Sequence, residues 1–334
     1  MSEQLRTVVY SRADDLPEGL MEDNFFHSRR LFVLGQQTPR HKPYMVVVHG
    51  DGNRVEAQML AMVRYRSSWF PPYLYVHCRV LGEGMFRADS TLPHNDLFAM
   101  MLRQLTSKLG RRMLYIEVSN LSQKMFGYKT FRECGFFPVR WMSIHNSLHS
   151  RPPAERIGQR KKKRIEHALQ RGVVSSEVTT EHDFNDFMRL LHHHNLLKPK
   201  RYIPHERFFR GIMEKYDGRL FVTHFHDHII GCSAVVYSGR HEDMQNNAYL
   251  WYAAFRRKSF AWLHPDEATI WNAITDSHQR GYDHICFLDV GLPFRKNRFR
   301  DFILSFGGKP TSTYRWFRCS IGWVNSMLSW FYRD

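Results

Sequence analysis

Two carboxylates stand near the ends of apolar, strand-like runs in this 334-residue chain: Glu117 is the penultimate residue of MLYIEV, and Asp289 that of HICFLDV. A carboxylate so placed can take a proton from an attacking amine or orient it, and strand ends are where ligands collect in such sheets. Asp289 stands two residues before Gly291, so it could equally cap a turn. Tyr252, in the run LWYA, could donate to a substrate or pack with its hydroxyl at a sheet edge. Lys200, Arg201, Arg295 and Lys296 suit phosphate contacts, and each could instead be a solvated loop charge. Arg160 to Arg164 are five consecutive cations, from which Arg160, Lys163 and Arg164 are candidates to follow a tRNA arm or an anionic lipid surface; the same run could be a solvated helix face. The histidines do not suggest a metal site. His224, His226 and His228 straddle a hairpin tip at His226-Asp227, and consecutive His192 to His194 point in different directions on a helix.

The elements that must hold these residues are written twice. Asn95 to Val118 and Asp266 to Val290 each run from a capping residue through a helical stretch to a glycine fifteen positions on, then into an apolar strand. Asn95 and Asp266 suit the N-cap, while Leu97, Met101 and Leu105, or Ile270, Trp271 and Ile274, supply an apolar face. Gly110 and Gly281 suit the left-handed residue that ends a helix. An internal duplication is expected. Before the first copy, Tyr44 to His49 and Val55 to Tyr65 flank Asp51-Gly52-Asn53 as a hairpin, Tyr73 to Val80 is a further strand, and Phe136 to Ile144 closes the half.

Paired prolines at Pro152-Pro153 mark a linker, giving domains 1–150 and 151–334. A basic amphipathic helix over 156–171 follows, with Ile165, Ala168 and Leu169 at helical spacing. Thr180 with Asp183 forms a capping box ahead of a second helix, and Pro204 opens a third. A hairpin, Leu220 to Phe225 and Ile229 to Tyr237, and a strand around Tyr249 to Ala254 lead into the second copy. Phe317, Ile321, Val324, Leu328 and Phe331 fall at helical spacing, with Trp316, Trp323 and Trp330 beside them and Arg315, Arg318 and Arg333 at the margins. This aromatic helix over 315–333 could lie on an anionic membrane or pack on its domain.

Composition bounds the class. A 43% hydrophobic content suffices for two cores, and no apolar run approaches the ~20 residues of a membrane span. Together with the lack of a signal-peptide pattern, this gives a soluble, cytoplasmic expectation, peripheral at the inner membrane face if the aromatic helix binds lipid. Five scattered cysteines without a CxxC suggest neither disulfides nor zinc. The net charge of +16 divides as +6 over residues 1–150 (19 basic, 13 acidic) and +10 over the rest (29 basic, 19 acidic), which favours a polyanionic partner such as tRNA, a nucleotide- or lipid-linked substrate, or an anionic membrane.

From the basic helix through KPKRYIP (Lys198 to Pro204), LWYA, FLDVGLP (Phe287 to Pro293) and RDFILSFGG (Arg300 to Gly308), the chain resembles the Fem-type branch of the GNAT acyltransferase superfamily. The resemblance covers 155–320 and is architectural before that. It implies an α+β fold of two tandem GNAT-like domains, each a mixed, largely antiparallel sheet flanked by helices. It also implies transfer of an acyl or aminoacyl group onto an amine of a cell-envelope precursor, in a basic crevice between the domains, with Asp289 and Tyr252 in the pocket. No cofactor would be bound permanently; the donor substrate would be aminoacyl-tRNA or acyl-CoA. Fem-like signatures commonly carry a lysine after the phenylalanine matched by Phe302, where this chain has Ile303, so Arg300, or else Arg298, would have to supply the charge. The glycine-bearing pyrophosphate loop of the superfamily is also missing from FRRKSFAWLH (Phe255 to His264), which weighs against coenzyme A held by backbone amides. Acyl-CoA-dependent N-acetyl transfer and a non-catalytic module binding a polyanion or membrane are the alternatives.

Overall fold

A computed structural model describes residues 5–67, 74–121, 125–195, 202–214, 218–239, 246–288 and 290–332. The chain order is β1 (Arg6–Tyr10), α1 (Arg29–Gln37), β2 (His41–His49), β3 (Val55–Ser67), β4 (Leu74–Leu81), β5 (Met85–Phe86), α2 (His94–Leu109), β6 (Tyr115–Ser119), α3 (Tyr128–Glu133) and β7 (Phe137–Ser147). It continues with α4 (Pro153–Arg156), α5 (Gln159–Gln170), β8 (Val173–Glu177), α6 (Glu181–Asn195), α7 (Glu206–Glu214), β9 (Gly218–Phe225), β10 (His228–Ser238), β11 (Asn247–Phe255), α8 (Pro265–Gln279), β12 (His284–Phe287), α9 (Arg298–Leu304), β13 (Lys309–Cys319) and α10 (Gly322–Phe331).

Two compact units result: Met1–Trp141 with Ser312–Asp334, and Met142–Thr311. This differs from the expected 1–150 and 151–334 division for a topological reason. The first unit's sheet runs β1-β2-β3-β4-β6-β13, with β5 on β3, so its last strand comes from the end of the chain. The second unit's sheet runs β7-β12-β11-β10-β9-β8 and begins with a strand from the first half. Sequence periodicity carries no signal for such an exchange.

The duplication is real as structure. In each unit a helix bridges two neighbouring parallel strands, α2 between β4 and β6, and α8 between β11 and β12, while the other described pairings are antiparallel. Leu97, Met101 and Leu105 are fully buried from α2, as is Ile270 from α8; burying each such side chain contributes about 1.5–3 kcal/mol. Trp271 is only partly buried.

The predicted hairpin forms, with Gly52 (φ 63°) and Asn53 (φ 65°) giving the left-handed turn that DGN favours. The capping box also forms: Thr180 Oγ1 accepts from Asp183 N at 3.1 Å. The other caps differ. α2 begins at His94 behind an N-cap at Pro93, and α8 begins with Pro265 at its first position behind a left-handed His264 (φ 46°), so Asn95 and Asp266 both lie inside the first turn. Gly281 is left-handed (φ 76°), but Gly110 is helical (φ −59°). What Gly110 provides is space: a Cβ there would lie 2.2 Å from Arg318 Nη1. The basic helix starts at Gln159, not at 156, after an N-cap at Gly158. Trp316 and Phe317 belong to β13, so the C-terminal helix is α10 alone, and Trp316 stacks on Phe131 at 4.5 Å within the first unit's core. All five cysteines are free thiols. No helix among the described residues is long and apolar enough to cross a membrane.

Candidate functional site

In the second unit's parallel pair, β11 pairs with β12 from Asn247↔His284 to Leu250↔Phe287 among the described residues, and β11 continues to Phe255 along β10. Its register with β10 slips between Ala234↔Tyr252 and Val235↔Leu250, leaving Trp251 as an extra residue. A bulge of this kind bends its strand and re-aims side chains. Beyond it, Ala253 and Phe255 join the core cluster with α8 and α9.

The chain then reaches α8, whose N-terminal end lines a pocket of about 370 Å³ formed by Arg164, Arg257, Ala261, His264, Pro265, Asp266, Glu267 and Phe302. Glu267 is its centre. The residue is 5% exposed, and its Oε1 lies 3.5 Å from Lys161 Nζ and 3.2 Å from Arg164 Nη1. Its Oε2 is buried with no hydrogen-bond partner among the described residues. A buried carboxylate oxygen without a donor is costly, and an N–H that reached it would satisfy it.

Lys161 stands beneath this group, its Nζ 3.9 Å from the ring centre of Phe306 and 4.7 Å from that of Phe302. Burial pushes its pKa down, opposed by the charge of Glu267. Arg257 closes the rim: its Nε is 2.5 Å from Asp266 Oδ2 and its guanidinium 4.9 Å from the Phe302 ring centre. The pocket lining carries two cations, Arg164 and Arg257, against two carboxylates, Asp266 and Glu267, and Lys161 pairs with Glu267 from outside that lining.

The helix end is not a free anion cradle. Pro265 contributes no N–H, and the amides of Glu267 and Ala268 both bond His264 O, at 2.9 and 3.1 Å. Asp266 and Glu267 occupy the first turn, where the helix dipole favours negative charge.

Of the candidates from sequence, only Arg164 lines this pocket. Asp289, Lys200 and Arg201 lie outside the described residues. Tyr252 packs toward α7, its ring centre 5.2 Å from that of Phe209 and 5.8 Å from that of Trp251. Arg300 is occupied elsewhere: Nη1 donates to Leu292 O at 2.7 Å and Nη2 to Arg295 O at 3.0 Å, so it clamps the loop before α9. Ile303 is fully buried in the core. Arg160, Lys163, Arg295 and Lys296 are exposed and away from the pocket wall. The glycines of the FGG signature have a packing role: Gly307 is left-handed (φ 84°), with the Arg156 carbonyl 2.8 Å from where a Cβ would sit, and a Cβ on Gly308 would lie 2.5 Å from Asn146 Oδ1 and Ile144 Cγ2.

Lys161, Glu267 and Arg257 escaped the sequence reading. A signal existed for the lysine: 161, 165 and 168 are i, i+4 and i+7 on one helix face, so the member of the cationic run aligned with buried Ile165 and Ala168 is Lys161. It stands against the two phenylalanines of the closing signature, where Ile303 supplies no charge. Among the described residues no group of three or more histidine, cysteine, aspartate or glutamate side chains is placed to hold a metal.

Residues 158–296 match the acetyltransferase (GNAT) domain family. The fold is similar to that of FemX, at TM-score 0.61 and 9% identity over 95% of this chain and 96% of that one. It is also similar to the C-terminal domain of a putative lysylphosphatidylglycerol synthetase from Agrobacterium fabrum (TM-score 0.56, 8% identity, 90% and 92% covered). A tandem GNAT protein from the clavulanic acid biosynthesis pathway is similar at TM-score 0.54 and 12% identity, with 95% and 99% covered. No curated protein sequence matches the chain.

Proposed function

We propose that this chain, whose fold is the Fem-like, tandem form of the GNAT superfamily, is an acyltransferase that joins an acyl or aminoacyl group to an amine, with the second unit as its working half. The observation that carries the reading is Glu267, a lining residue of the pocket at the N-terminal end of α8, whose buried Oε2 has no hydrogen-bond partner among the described residues.

The residues supply what the chemistry requires. The amine nitrogen bonds to the acyl carbon while its proton passes to Glu267 Oε2. Negative charge gathers on the acyl oxygen, and Lys161, Arg164 and Arg257 provide cationic donors for it. Collapse breaks the bond to the leaving sulfur or ribose oxygen, which departs and takes up a proton. Lys161 is well suited to a fixed electrostatic role, because its contacts with Phe302 and Phe306 hold it in place.

The donor reading rests on the helix end. The amides of Glu267 and Ala268 are spent and the first turn carries two carboxylates, so a pyrophosphate would meet repulsion there. That favours an aminoacyl-tRNA donor, with phosphates held by arginine side chains, over coenzyme A cradled by backbone. The net charge of +16 suits a polyanionic substrate, and the likeness to a lysylphosphatidylglycerol synthetase domain supports an amine or headgroup acceptor of the cell envelope. Acyl-CoA is the second reading, favoured by the match of 158–296 to an acetyltransferase domain.

Radiolabelled aminoacyl-tRNA and acetyl-CoA, each offered with amine-bearing peptidoglycan precursors and aminolipids, test this directly. We expect label in an amide or ester product from one donor, reduced about 10²–10⁴-fold by Glu267→Gln. Consumption of neither donor, or full activity in Glu267→Gln, overturns the assignment.

A further inference from the structure

The geometry points to α10 as a membrane-contact element whose outward face enters the headgroup region of an anionic lipid bilayer. This inference does not depend on the acyl-transfer reading, since none of its residues belongs to the pocket of the second unit.

The helix is laid down with its polar stripe toward the protein. Asn325, Ser329 and Tyr332 fall at i, i+4 and i+7. Asn325 Oδ1 accepts from Cys319 N at 2.9 Å, its Nδ2 donates to Gly135 O at 2.9 Å, and Arg132 Nη1 lies 3.4 Å from Ser329 Oγ. The Tyr332 ring stacks on Phe137 at 5.7 Å. The opposite stripe is apolar and faces water: Trp323, Met327, Trp330 and Phe331, at i, i+4, i+7 and i+8, are 71%, 53%, 69% and 71% exposed. Ile321, just before the helix, is exposed as well, and no residue of α10 is buried. A terminal helix that merely completes a core turns the other way, and a contiguous exposed stripe of large apolar side chains marks an interaction surface.

Charge selects the occupant. Arg318 Nη1 donates to Gly110 O, and the two residues that follow Gly110 are the exposed Arg111 and Arg112. Arg132 reaches Ser329, and Lys129, 92% exposed, lies one turn before it on α3. Glu133 is the acidic residue of α3, and it is shared by Arg103 and Lys129. A tryptophan-bearing apolar stripe on a helix seated beside Arg132 and Arg318, in a unit with exposed cations at Arg111, Arg112 and Lys129, complements anionic headgroups. A second copy of this chain docking on the same face would bring like charges of the two copies nearer each other, which opposes self-association. Ten residues make a helix only about 15 Å long, suited to lying in the interface plane.

Flotation of the full chain with vesicles of phosphatidylcholine alone and of phosphatidylcholine mixed with phosphatidylglycerol tests the proposal. We expect flotation with the mixed vesicles, weakened by salt and accompanied by a blue shift of tryptophan emission. Trp323→Ala and Trp330→Ala should each lower partitioning by about tenfold. Because both side chains project into solvent, the variants keep the wild-type circular dichroism and melting temperature. Arg111→Glu with Arg112→Glu should reduce binding to the mixed vesicles. Failure of the wild type to float with the mixed vesicles overturns the proposal, as does equal flotation of the double tryptophan variant. A concentration-dependent dimer, lost in that variant and unaccompanied by flotation, also overturns it and assigns the face to a second copy.

Discussion

The parallel pairs β4–β6 and β11–β12 are built on one plan and used in opposite ways. The first stays laddered from His77↔Tyr115 to Leu81↔Ser119, and Gly82 N extends it by donating to Ser119 O at 2.9 Å. Its acid, Glu117, is consumed: Oε1 lies 3.6 Å from Arg79 Nε and 3.3 Å from Arg315 Nη1, and all three side chains are largely buried. The second pair's described ladder runs from Asn247↔His284 to Leu250↔Phe287, and Glu267, on the helix that bridges its strands, keeps one buried oxygen without a hydrogen-bond partner among the described residues. An acid inside a laddered pair becomes a brace; one at the first turn of the bridging helix is left with an oxygen unsatisfied. The largest expected effect follows. Glu267→Gln should lower turnover by about 10²–10⁴-fold, while Glu117→Gln leaves kcat within a few-fold, both read from steady-state kinetics on the donor that proves active.

Stability should divide the other way. Removing Glu117 as Glu117→Ala takes from Arg79 and Arg315 the buried carboxylate that they share, which costs about 3–5 kcal/mol. The check is a fall in the urea midpoint at unchanged m-value, and a loss under 1 kcal/mol would remove the brace from the comparison.

Much of the plan was legible in the sequence, and the reasons are local. The DGN hairpin, the Thr180 cap and the apolar faces of α2 and α8 rest on interactions among near neighbours, which spacing encodes. The α+β tandem architecture followed from the repeat and the closing signature. The site was hardly legible. Glu267 reads as an ordinary first-turn acid, and only the tertiary approach of α5 makes it a buried group facing Lys161. Arg300 reads as a free cation, but the loop fold that consumes it is set by main-chain carbonyls, which sequence does not mark. The exchange of β7 and β13 between units is equally silent, since a strand carries no record of its neighbour.

Acid should separate the units further. His27 in the first unit is fully buried, its ring nitrogens 3.1 Å from the backbone N–H groups of Leu60 and Gly84, and burial pushes its pKa down to about 3. His41 and His77 are also lowered to about 3, first by burial and then by nearby arginine charge. In the second unit His145 and His284 are lowered, chiefly by burial. A histidine that stays neutral when folded but is protonated when unfolded contributes stability present above the unfolded pKa, near 6.5, and lost as pH falls toward 3. His27 alone should cost about 1.4 kcal/mol per pH unit through that window. Hydrogen exchange at pH 5 should therefore show β3 and β4 losing protection, and His27→Gln should flatten the dependence.

The smallest effect lies in the two glycines that end the bridging helices, and it tests whether the copies are still equivalent. Gly281 is left-handed with no atom within 4 Å of where a Cβ would be, so asparagine, which tolerates that region, should cost only a few tenths of a kcal/mol there, and alanine about 1–2 kcal/mol. Gly110 has a helical φ, yet a Cβ there would lie 2.2 Å from Nη1 of the Arg318 guanidinium that donates to Gly110 O, and 2.5 Å from Thr106 O. At position 110 alanine and asparagine should therefore be equally unfavourable, whereas at 281 alanine should be the worse. Matching melting-temperature orders at the two positions would mean that both glycines serve one purpose, contrary to the divergence that the strand pairs display.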